Sequence, residues 1–235
     1  MNLLLISNST NPGEQYLGYP KNNIMEFLGK EKVRVLFIPY AAVTFSYDAY
    51  EEKVKERFRE VGHDIVSIHH FNDPGKAVQD AEAIAVGGGN TWKLLREIRG
   101  NNLIDAVREK VTGGTPYIGW SAGSNVACPT LRTTNDMPVV EPGSFEAFGL
   151  IPFQINPHYL DANPEGHAGE TREQRIEEFI EINHDIYVLG LREGTMLLVK
   201  DGRIRLIGPR KVRIFKKGSA PAEYGPDDDL SFLLG

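Results

Sequence analysis

Five short runs of mainly apolar residues constrain the fold of the first half of the chain. They span residues 3–6, 33–38, 65–68, 83–86 and 117–119, and each lies close to a glycine, proline, asparagine or aspartate. Because apolar and polar residues do not alternate along them, these runs are typical of strands buried on both faces, as in a parallel sheet. Between the runs the apolar residues follow a helical period, as at Tyr50, Val54 and Phe58. The pattern predicts a doubly wound α/β fold with a mostly parallel sheet and right-handed crossovers.

Two four-residue sequences resemble capping boxes and so predict where helices begin. Asp48 is followed by Glu51 at the required spacing, although aspartate replaces the usual serine or threonine, and Thr171 is followed in the same way by Gln174. In a capping box the two side chains satisfy free N–H groups of the first helical turn. We therefore expect one helix to be capped by Asp48 and another by Thr171.

The second half of the chain has a different pattern. Residues 129–152 contain several prolines and glycines and predict a long loop, which inside a compact domain is often functional. Further strands are predicted over residues 187–191, 195–199, 203–207 and 212–215, with a hairpin turn at Asp201-Gly202. We expect this tail to be an antiparallel extension at a sheet edge and the last residues, which include three consecutive aspartates, to be loosely attached. No linker or internal repeat divides the chain, so a single domain over residues 1–235 is predicted.

Charge and cysteine content narrow the classes of protein that fit. The 26 Lys and Arg against 32 Asp and Glu give a formal net charge of -6 without a basic run, which disfavours a nucleic-acid-binding protein. Cys128 is the only cysteine, so an intramolecular disulfide and a thiolate metal cluster are excluded and a reducing, cytoplasmic setting fits best. Residues 1–8 hold only four consecutive apolar residues and no basic flank, so a buried strand is expected there rather than a signal peptide or membrane span.

The strongest local motif is the sequence GWSAG over residues 119–123, which matches the pattern G-x-S-x-G. It directly follows an apolar run and precedes small residues that can begin a helix. A nucleophile elbow needs this strand, sharp turn and helix, because the turn presents the serine at the carboxyl end of a sheet. Ser121 is therefore a candidate nucleophile. The alternative is a glycine-rich turn whose serine caps a helix.

A second glycine cluster, GGGN over residues 87–90, follows the fourth apolar run, and a helix is predicted to begin at Thr91. Backbone amides at such a turn can bind an anion, either a phosphate or the oxyanion of a tetrahedral intermediate. The cluster lacks the spacing of the nucleotide-binding motifs. With a candidate serine elbow on the next strand, we favour an oxyanion hole formed by the amides of Gly88 and Ala122.

Among the six histidines, one is the favoured general base. The apolar segment at residues 150–155 predicts a further strand, and His158 lies just past it, where a sheet presents its functional loops. His63 and His184 lie in polar sequences near helix ends and are expected at the surface. His69 and His70 follow a strand and are expected to cap it.

A metal site that includes His158 is a weaker hypothesis. Asp161, Glu165 and His167 follow His158 within a short stretch of sequence. Their spacing matches no zinc motif, so no metal site is predicted from them.

A histidine base needs an acid to orient it, and two carboxylates are candidates. Asp136 lies inside the long loop, whereas Glu193 lies at the end of a predicted strand. Sequence spacing does not choose between them, because the members of a triad meet in space. Cys128 is not favoured as a nucleophile, since nothing near it in sequence would lower the pKa of a thiol.

Six segments together resemble a known family, over nearly the whole chain. They are LLISNST at residues 4–10, GGGNT at 87–91, IGWSAG at 118–123, RTTNDMP at 132–138, QINPH at 154–158 and GHAGETREQR at 166–175. On these segments the chain resembles the S51 family of serine peptidases. The resemblance implies an α/β sandwich of the flavodoxin-like type found in class I glutamine amidotransferases, distinct from the α/β hydrolases.

The same resemblance implies an activity and the roles of several residues. It implies an exopeptidase that releases N-terminal aspartate from Asp-Xaa dipeptides through an aspartyl-enzyme, without a metal or organic cofactor. Ser121 is then the nucleophile and His158 the general base, and the family's acid corresponds either to Asp136 or to Glu193. We favour Glu193 as the group that orients His158, because a strand end is a more rigid mount than a loop. Asp136 would shape the site or bind the substrate amine.

An aspartate substrate also needs a cationic partner for its side chain. Since the chain has a net charge of -6, a local arginine with bidentate geometry must supply it. Arg172 is the first candidate and Arg132 the second, the alternative for Arg172 being an ordinary exposed residue of a first helical turn. Further polar contacts are expected from Asn90, Thr91 and Thr134.

Other functions stay open on the sequence. The same serine elbow suits a cyanophycinase-like peptidase that acts on β-aspartyl links, or an esterase. A non-catalytic protein would use the glycine loops to hold an anion such as a nucleotide phosphate. The partner expected is a small peptide, with neither nucleic acid nor membrane, and a homodimer is not distinguished from a monomer.

Overall fold

A computed structural model describes residues 1–163, 165–166 and 168–235, and all five apolar runs form strands. The strands are β1 (Asn2–Ile6), β2 (Arg34–Ile38), β3 (Asp64–Ser67), β4 (Ala83–Val86) and β5 (Tyr117–Trp120). Each pair of neighbours among them is parallel, in the order β3-β2-β4-β5-β1. The predicted α/β fold with a mostly parallel sheet is confirmed.

Seven helices accompany the strands within the described residues, and the sheet is covered on both faces. They are α1 (Lys21–Leu28), α2 (Tyr47–Glu60), α3 (Pro74–Gln79), α4 (Thr91–Gly100), α5 (Leu103–Thr112), α6 (Ala122–Asn125) and α7 (Arg172–Ile182). Along β1, Leu3 and Leu5 pack into one apolar cluster while Leu4 and Ile6 pack into another. Because both faces are buried, the strand is apolar throughout. None of the helices in the described part of the chain combines the length and apolarity needed to cross a bilayer.

The C-terminal strands divide between two sheets. They are β6 (Gln154–Tyr159), β7 (Val188–Arg192), β8 (Met196–Lys200), β9 (Arg203–Ile207), β10 (Val212–Phe215) and β11 (Ala222–Tyr224). β8 and β9 extend the first sheet beyond β1 as antiparallel strands, as predicted for the tail, whereas β7 and β10, which were predicted as part of the same extension, lie in the other sheet. The others form a second sheet in the order β11-β10-β7-β6, in which β6 and β7 pair in parallel. The sequence did not predict this second sheet.

The starts of two helices test the capping predictions. Thr171 caps α7 and forms a full capping box with Gln174, as predicted. α2 begins at Tyr47, and its cap is Ser46, whose Oγ accepts a hydrogen bond from the Ala49 N–H at 3.1 Å. The prediction that Asp48 caps α2 is therefore wrong. Asp48 lies in the first turn, where a negative charge is favourable near the helix N-terminus.

The segment between α6 and β6 folds back on itself, as its two ends approach each other. The Leu131 N–H donates to the Phe145 carbonyl at 3.0 Å, and the Ala147 N–H donates to the Pro129 carbonyl at 3.0 Å. Leu131 is fully buried and anchors the base of this loop in the main core. The loop therefore holds its middle part, which includes the candidate acid Asp136, beside α4.

The C-terminal residues are attached to the main body, contrary to the expectation from the sequence. Leu230 and Leu233 are buried in the main core. Ser231 Oγ accepts a hydrogen bond from the Ile204 N–H of β9 at 3.1 Å. The three aspartates connect β11 to these buried leucines. The prediction of a loosely attached C-terminus, which was made from composition alone, is therefore wrong.

Candidate active site

Ser121 lies at a sharp turn between β5 and α6, as the motif predicts. Its backbone adopts φ 53° and ψ -110°, an unusual conformation for a residue with a side chain. The flanking glycines permit this turn. A Cβ on Gly123 would lie 2.0 Å from the Val86 carbonyl oxygen, and a Cβ on Gly119 would lie 2.5 Å from the Gly123 carbonyl oxygen. Only glycine fits at either position without displacing backbone.

His158 faces Ser121 from the second sheet. Its Nε2 lies 2.8 Å from Ser121 Oγ, within hydrogen-bond distance. The sequence placed His158 just past a strand, but it lies within β6, where the register of the β6–β7 pair shifts between Pro157 and Tyr159. His158 has φ 54° at this irregularity. A bulge of this kind re-aims a side chain, which explains how a residue inside a strand reaches the serine.

Glu193 completes a line of three hydrogen-bonding groups. It directly follows β7, the strand beside β6, and its Oε1 lies 2.7 Å from His158 Nδ1. The side chains of His158 and Glu193 are 39% and 37% exposed, so both are within reach of a small substrate. This arrangement lets a hydroxyl lose its proton to an imidazole whose second nitrogen is held by a carboxylate.

Asp136 occupies a different position, at the start of α4. Its Oδ2 accepts hydrogen bonds from the Thr91 N–H at 2.7 Å and from Thr91 Oγ1 at 2.6 Å. Trp92 Nε1 donates to the Asp136 carbonyl at 3.0 Å. The helix N-terminus thus holds this carboxylate through one oxygen. Among the hydrogen bonds of the described residues, Asp136 has none with His158.

Three predicted substrate-binding residues surround Asp136 and hold the loop that carries it. Thr134 Oγ1 donates to Thr91 Oγ1 at 3.0 Å. Asn90 caps α4, and its Nδ2 donates to the Met137 carbonyl at 2.9 Å. These contacts occupy the polar groups of Asn90, Thr91 and Thr134, so in the structure they support Asp136 rather than face open space.

Gly88 lies against the serine turn. A Cβ at Gly88 would approach Ser121 Cβ to 3.0 Å, and Tyr50 donates from its hydroxyl to the Gly88 carbonyl at 2.8 Å. Within the residues that the structure describes, the N–H groups of Gly88 and Ala122 have no backbone acceptor. An oxyanion is bound by backbone N–H groups of this kind, which have no partner in the protein.

The two candidate arginines differ in their surroundings. Arg172 is the first residue of α7 and is partly buried. Burial and the nearby charge of Arg175 lower its pKa, whereas the charge of Asp136 raises it, so Arg172 lies within electrostatic reach of Asp136. Across the described chain no ion pair involves Arg172. Arg132 instead stacks over the Phe179 ring at 5.4 Å.

Cys128 is buried and burial raises its thiol pKa to about 12, which agrees with its dismissal as a nucleophile. His184 is exposed as predicted, but His63 is buried, with its Nδ1 accepting from the Val33 N–H at 3.2 Å, so the surface prediction for His63 is wrong. His167 lies outside the described residues. Asp161, its partner in the weaker metal hypothesis, pairs with Arg192.

Two residues that support the site were missed from the sequence. Ser7 Oγ accepts from the His158 N–H at 3.0 Å and donates to the Leu191 carbonyl at 2.7 Å. Asn8 Oδ1 accepts from the Gly194 N–H at 2.8 Å and so holds the turn beside Glu193. The available signal was their position directly after β1, because neighbouring parallel strands end at the same edge of a sheet.

Comparison with known proteins identifies relatives along nearly the entire chain. The family described as Peptidase family S51 matches residues 3–207. A protein named Peptidase E from Nostoc sp. is 53% identical over 232 residues, covering 99% of this chain and 96% of that protein. Another of the same name from Streptomyces coelicolor is 48% identical over 235 residues, covering 100% and 95%. A solved peptidase structure from an acI-B1 Actinobacterium has the same fold, with a TM-score of 0.68 at 19% identity, covering 98% of this chain and 96% of that chain.

Proposed function

The chain belongs to peptidase family S51, and from that premise we propose that it is a serine exopeptidase that hydrolyses dipeptides with N-terminal aspartate. The observation that carries the proposal is the continuous line from Ser121 Oγ to His158 at 2.8 Å and from His158 to Glu193 at 2.7 Å. A nucleophile, a base and an orienting acid in hydrogen-bond contact are the minimum for serine-based acyl transfer.

The proposed mechanism uses each of these groups in turn. Ser121 Oγ attacks the peptide carbonyl carbon while His158 Nε2 takes the hydroxyl proton. Glu193 accepts the hydrogen bond from Nδ1–H and stabilises the imidazolium. The amides of Gly88 and Ala122 donate to the oxyanion. His158 then protonates the leaving amine, and a water molecule, activated in the same way, hydrolyses the aspartyl-enzyme. No metal or organic cofactor enters this scheme.

Glu193, and not Asp136, is proposed as the acid of the triad. The Glu193 carboxylate is in hydrogen-bond contact with His158. Asp136 Oδ2 instead accepts a hydrogen bond from the Thr91 N–H at the start of α4. We assign Asp136 to binding the substrate's ammonium group, because its second oxygen has no partner among the described residues. A carboxylate is a favourable group at a helix N-terminus, and its free oxygen can accept a hydrogen bond from an ammonium group.

Arg172 is proposed to bind the side-chain carboxylate of the substrate. It is partly buried, lies within electrostatic reach of Asp136 and has no ion-pair partner in the described part of the chain. An acidic residue and a basic residue near each other match the ammonium group and the side-chain carboxylate of an N-terminal aspartate. Arg132 is the less favoured choice because it stacks on Phe179.

A panel of substrates tests the function. Asp-Leu, Glu-Leu, β-Asp-Arg and p-nitrophenyl acetate are compared on the wild type and on Ser121→Ala. We expect hydrolysis of Asp-Leu that disappears in Ser121→Ala. A preference for β-Asp-Arg would instead indicate a β-aspartyl peptidase, and a preference for p-nitrophenyl acetate would indicate an esterase. Inactivity on all four would favour an anion-binding protein, and Asp-Leu hydrolysis by Ser121→Ala would refute the serine mechanism.

The role of Arg172 is tested on the same substrates. Arg172→Ala removes a charged hydrogen-bond donor, and losing such a contact costs about 1.5–3 kcal/mol. We expect kcat/KM for Asp-Leu to fall at least about tenfold, with a smaller fall in Arg132→Ala as the matched arginine control. Unchanged kinetics in Arg172→Ala would show the assignment to be wrong.

We also propose that the chain works as one unit in the cytoplasm. Ser121 comes from the first sheet and His158 and Glu193 from the second, so neither sheet contains the site alone. The free, buried Cys128 fits a reducing compartment. A homodimer is a further proposal. Light scattering of the purified protein measures its molar mass and distinguishes a homodimer from a monomer.

A further inference from the structure

Four titratable side chains that the proposed mechanism does not use meet at the outer edge of the first sheet. Asp48 and Glu51 come from the first turns of α2, and His69 and His70 come from a short 3-10 turn (Ile68–His70) that follows β3. One ligand atom from each lies within 4.8 Å of all the others. β3 is the edge strand and is separated from β5 by β2 and β4, so this cluster is distinct from the Ser121 site.

The backbone explains why the four side chains converge. Asp48 and Glu51 are three positions apart on a helix and so face the same side. The 3-10 turn brings the rings of His69 and His70 within 4.0 Å of each other, centre to centre. His69 Nε2 lies 2.9 Å from Asp48 Oδ1, and His70 Nε2 lies 2.6 Å from Glu51 Oε2.

Two outer contacts orient the potential ligand atoms. Ser67 Oγ lies 2.6 Å from His69 Nδ1, and when Nδ1 carries the proton, Nε2 presents its lone pair to the cluster. The Ser67 N–H donates to Glu51 Oε1 at 2.9 Å, which leaves Oε2 in contact with His70. The Glu51 side chain is only 7% exposed. Metal-binding histidines and carboxylates are typically held by such hydrogen bonds through their second polar atom.

The donor set and spacing suit a tetrahedral ion. Bonds of about 2.0–2.1 Å to nitrogen and oxygen place neighbouring ligand atoms of a tetrahedral zinc ion roughly 3.3 Å apart. Observed separations lie on both sides of this value, at 2.6 Å for His70 Nε2 to Glu51 Oε2 and 3.9 Å for His70 Nε2 to Asp48 Oδ1, and all four ligand atoms lie within 4.8 Å of one another. Asp48 and His70 have side-chain exposures of 74% and 47%, so an ion can enter from solvent.

We propose that Asp48, Glu51, His69 and His70 form a binding site for a divalent first-row transition-metal ion, with zinc as the best match. Two imidazole nitrogens and two carboxylate oxygens are ligands that zinc accepts, whereas magnesium and calcium prefer oxygen alone. The bound ion ties the start of α2 to the end of the edge strand β3. Because only the folded chain brings the four groups together, binding stabilises the fold.

The test uses the full-length protein, freed of metal with a chelator and then titrated with zinc chloride. A chromophoric chelator in competition gives the stoichiometry and affinity, and the melting temperature is measured with and without zinc. Asp48→Asn and His70→Asn each remove one exposed ligand and leave the core intact, which circular dichroism verifies. His184→Asn removes an exposed histidine elsewhere, and His158→Asn removes the histidine of the proposed catalytic site.

We expect one zinc ion per wild-type chain and a higher melting temperature in its presence. Affinity falls at least about tenfold in Asp48→Asn and in His70→Asn, as expected when a metal site loses a ligand. Affinity is unchanged in His184→Asn and His158→Asn. The proposal is overturned if the wild type binds no zinc, if both cluster variants bind as the wild type does, or if His158→Asn abolishes binding. In the first two cases the four side chains only form hydrogen bonds with one another.

Discussion

At the scale of single residues, the site depends on unusual backbone conformations at its two central groups. Ser121 and His158 both have positive φ values, 53° and 54°, although neither is glycine. Residues held in such conformations are strained and persist only where the surroundings fix them. At Ser121 the flanking glycines allow the turn, and at His158 the bulge in β6 does so. The strain is consistent with side chains held in position for reaction.

The choice of acid makes a residue-scale prediction. Glu193→Gln keeps the shape of the side chain but removes the charge that stabilises the imidazolium of His158. We expect kcat for Asp-Leu to fall by about 100-fold or more. Asp136→Asn should mainly raise KM, because Asp136 is proposed to bind the substrate amine. Steady-state kinetics on both variants checks this, and a larger fall of kcat in Asp136→Asn would reverse the assignment.

At the scale of secondary-structure elements, the end of β1 connects the two sheets. β1 belongs to the first sheet, and Ser7 directly after it bonds to His158 in β6 and to Leu191 in β7 of the second. Asn8 bonds to the Gly194 N–H in the turn after β7. Tyr19 supports Asn8, because its hydroxyl donates to Asn8 Oδ1 at 2.8 Å. This segment therefore positions His158 and Glu193, the two residues that the second sheet contributes to the hydrogen-bonded line with Ser121.

Ser7→Ala tests this connection. The substitution leaves the partly buried His158 N–H and the buried Leu191 carbonyl without their hydroxyl partner, at an expected loss of about 1–3 kcal/mol in the free energy of unfolding. A small displacement of His158 should lower kcat by about tenfold to 100-fold and leave KM nearly unchanged. Urea unfolding and steady-state kinetics measure the two effects. Ser9→Ala, on the same segment, is the control, and equal losses in both variants would argue against a specific role for Ser7.

At the scale of the whole molecule, a buried arginine holds the second sheet together. Arg192, the last residue of β7, is 9% exposed. It donates to Glu223 of β11 at 2.8 Å and to Asp161, which follows β6, at 2.9 Å. Hydrogen bonds from Arg192 lower the pKa of Asp161 and that of Glu223 below their ordinary values of 3.8 and 4.5. Arg192 also directly precedes Glu193, so the same contacts support the proposed active site.

These pKa shifts predict a loss of stability in acid. The carboxylates of Asp161 and Glu223 bind protons less tightly in the folded protein than in the unfolded chain. Their pairing with Arg192 therefore stabilises the fold fully above their ordinary pKa values, and this stabilisation is lost as the pH falls through their lowered pKa values. We expect the free energy of unfolding to decline below about pH 4.5, the ordinary value for Glu223. Urea unfolding across this range measures the slope.

Glu223→Gln removes one of the two titrating partners and should make that slope shallower. Glu141→Gln, at an exposed position that forms no ion pair among the described residues, is the matched control and should leave the slope unchanged. Identical slopes in Glu223→Gln and the wild type would show that this carboxylate does not contribute to acid unfolding.

The sequence by itself determined the parallel strands of the first sheet, the start of α7 and the turn at Ser121. The apolar runs became β1 to β5, the capping box at Thr171 began α7, and the glycines around Ser121 formed the strained turn that the motif requires. These features depend on backbone sterics and burial within a few residues, so a local pattern specifies them. The motifs also resemble the S51 family, to which the chain belongs.

Only the tertiary structure decided which distant groups meet. Sequence spacing left Asp136 and Glu193 equivalent, whereas the parallel pairing of β6 with β7 puts Glu193 beside His158 and the long loop takes Asp136 to α4. Because β6 and β7 are neighbours, Ser7 can also bond to both of them, at His158 and at Leu191. The meeting of Asp48 with His69 likewise depends on how α2 packs beside β3. Such contacts follow from strand order and register, which are set by the packing of the whole chain and not by any one segment.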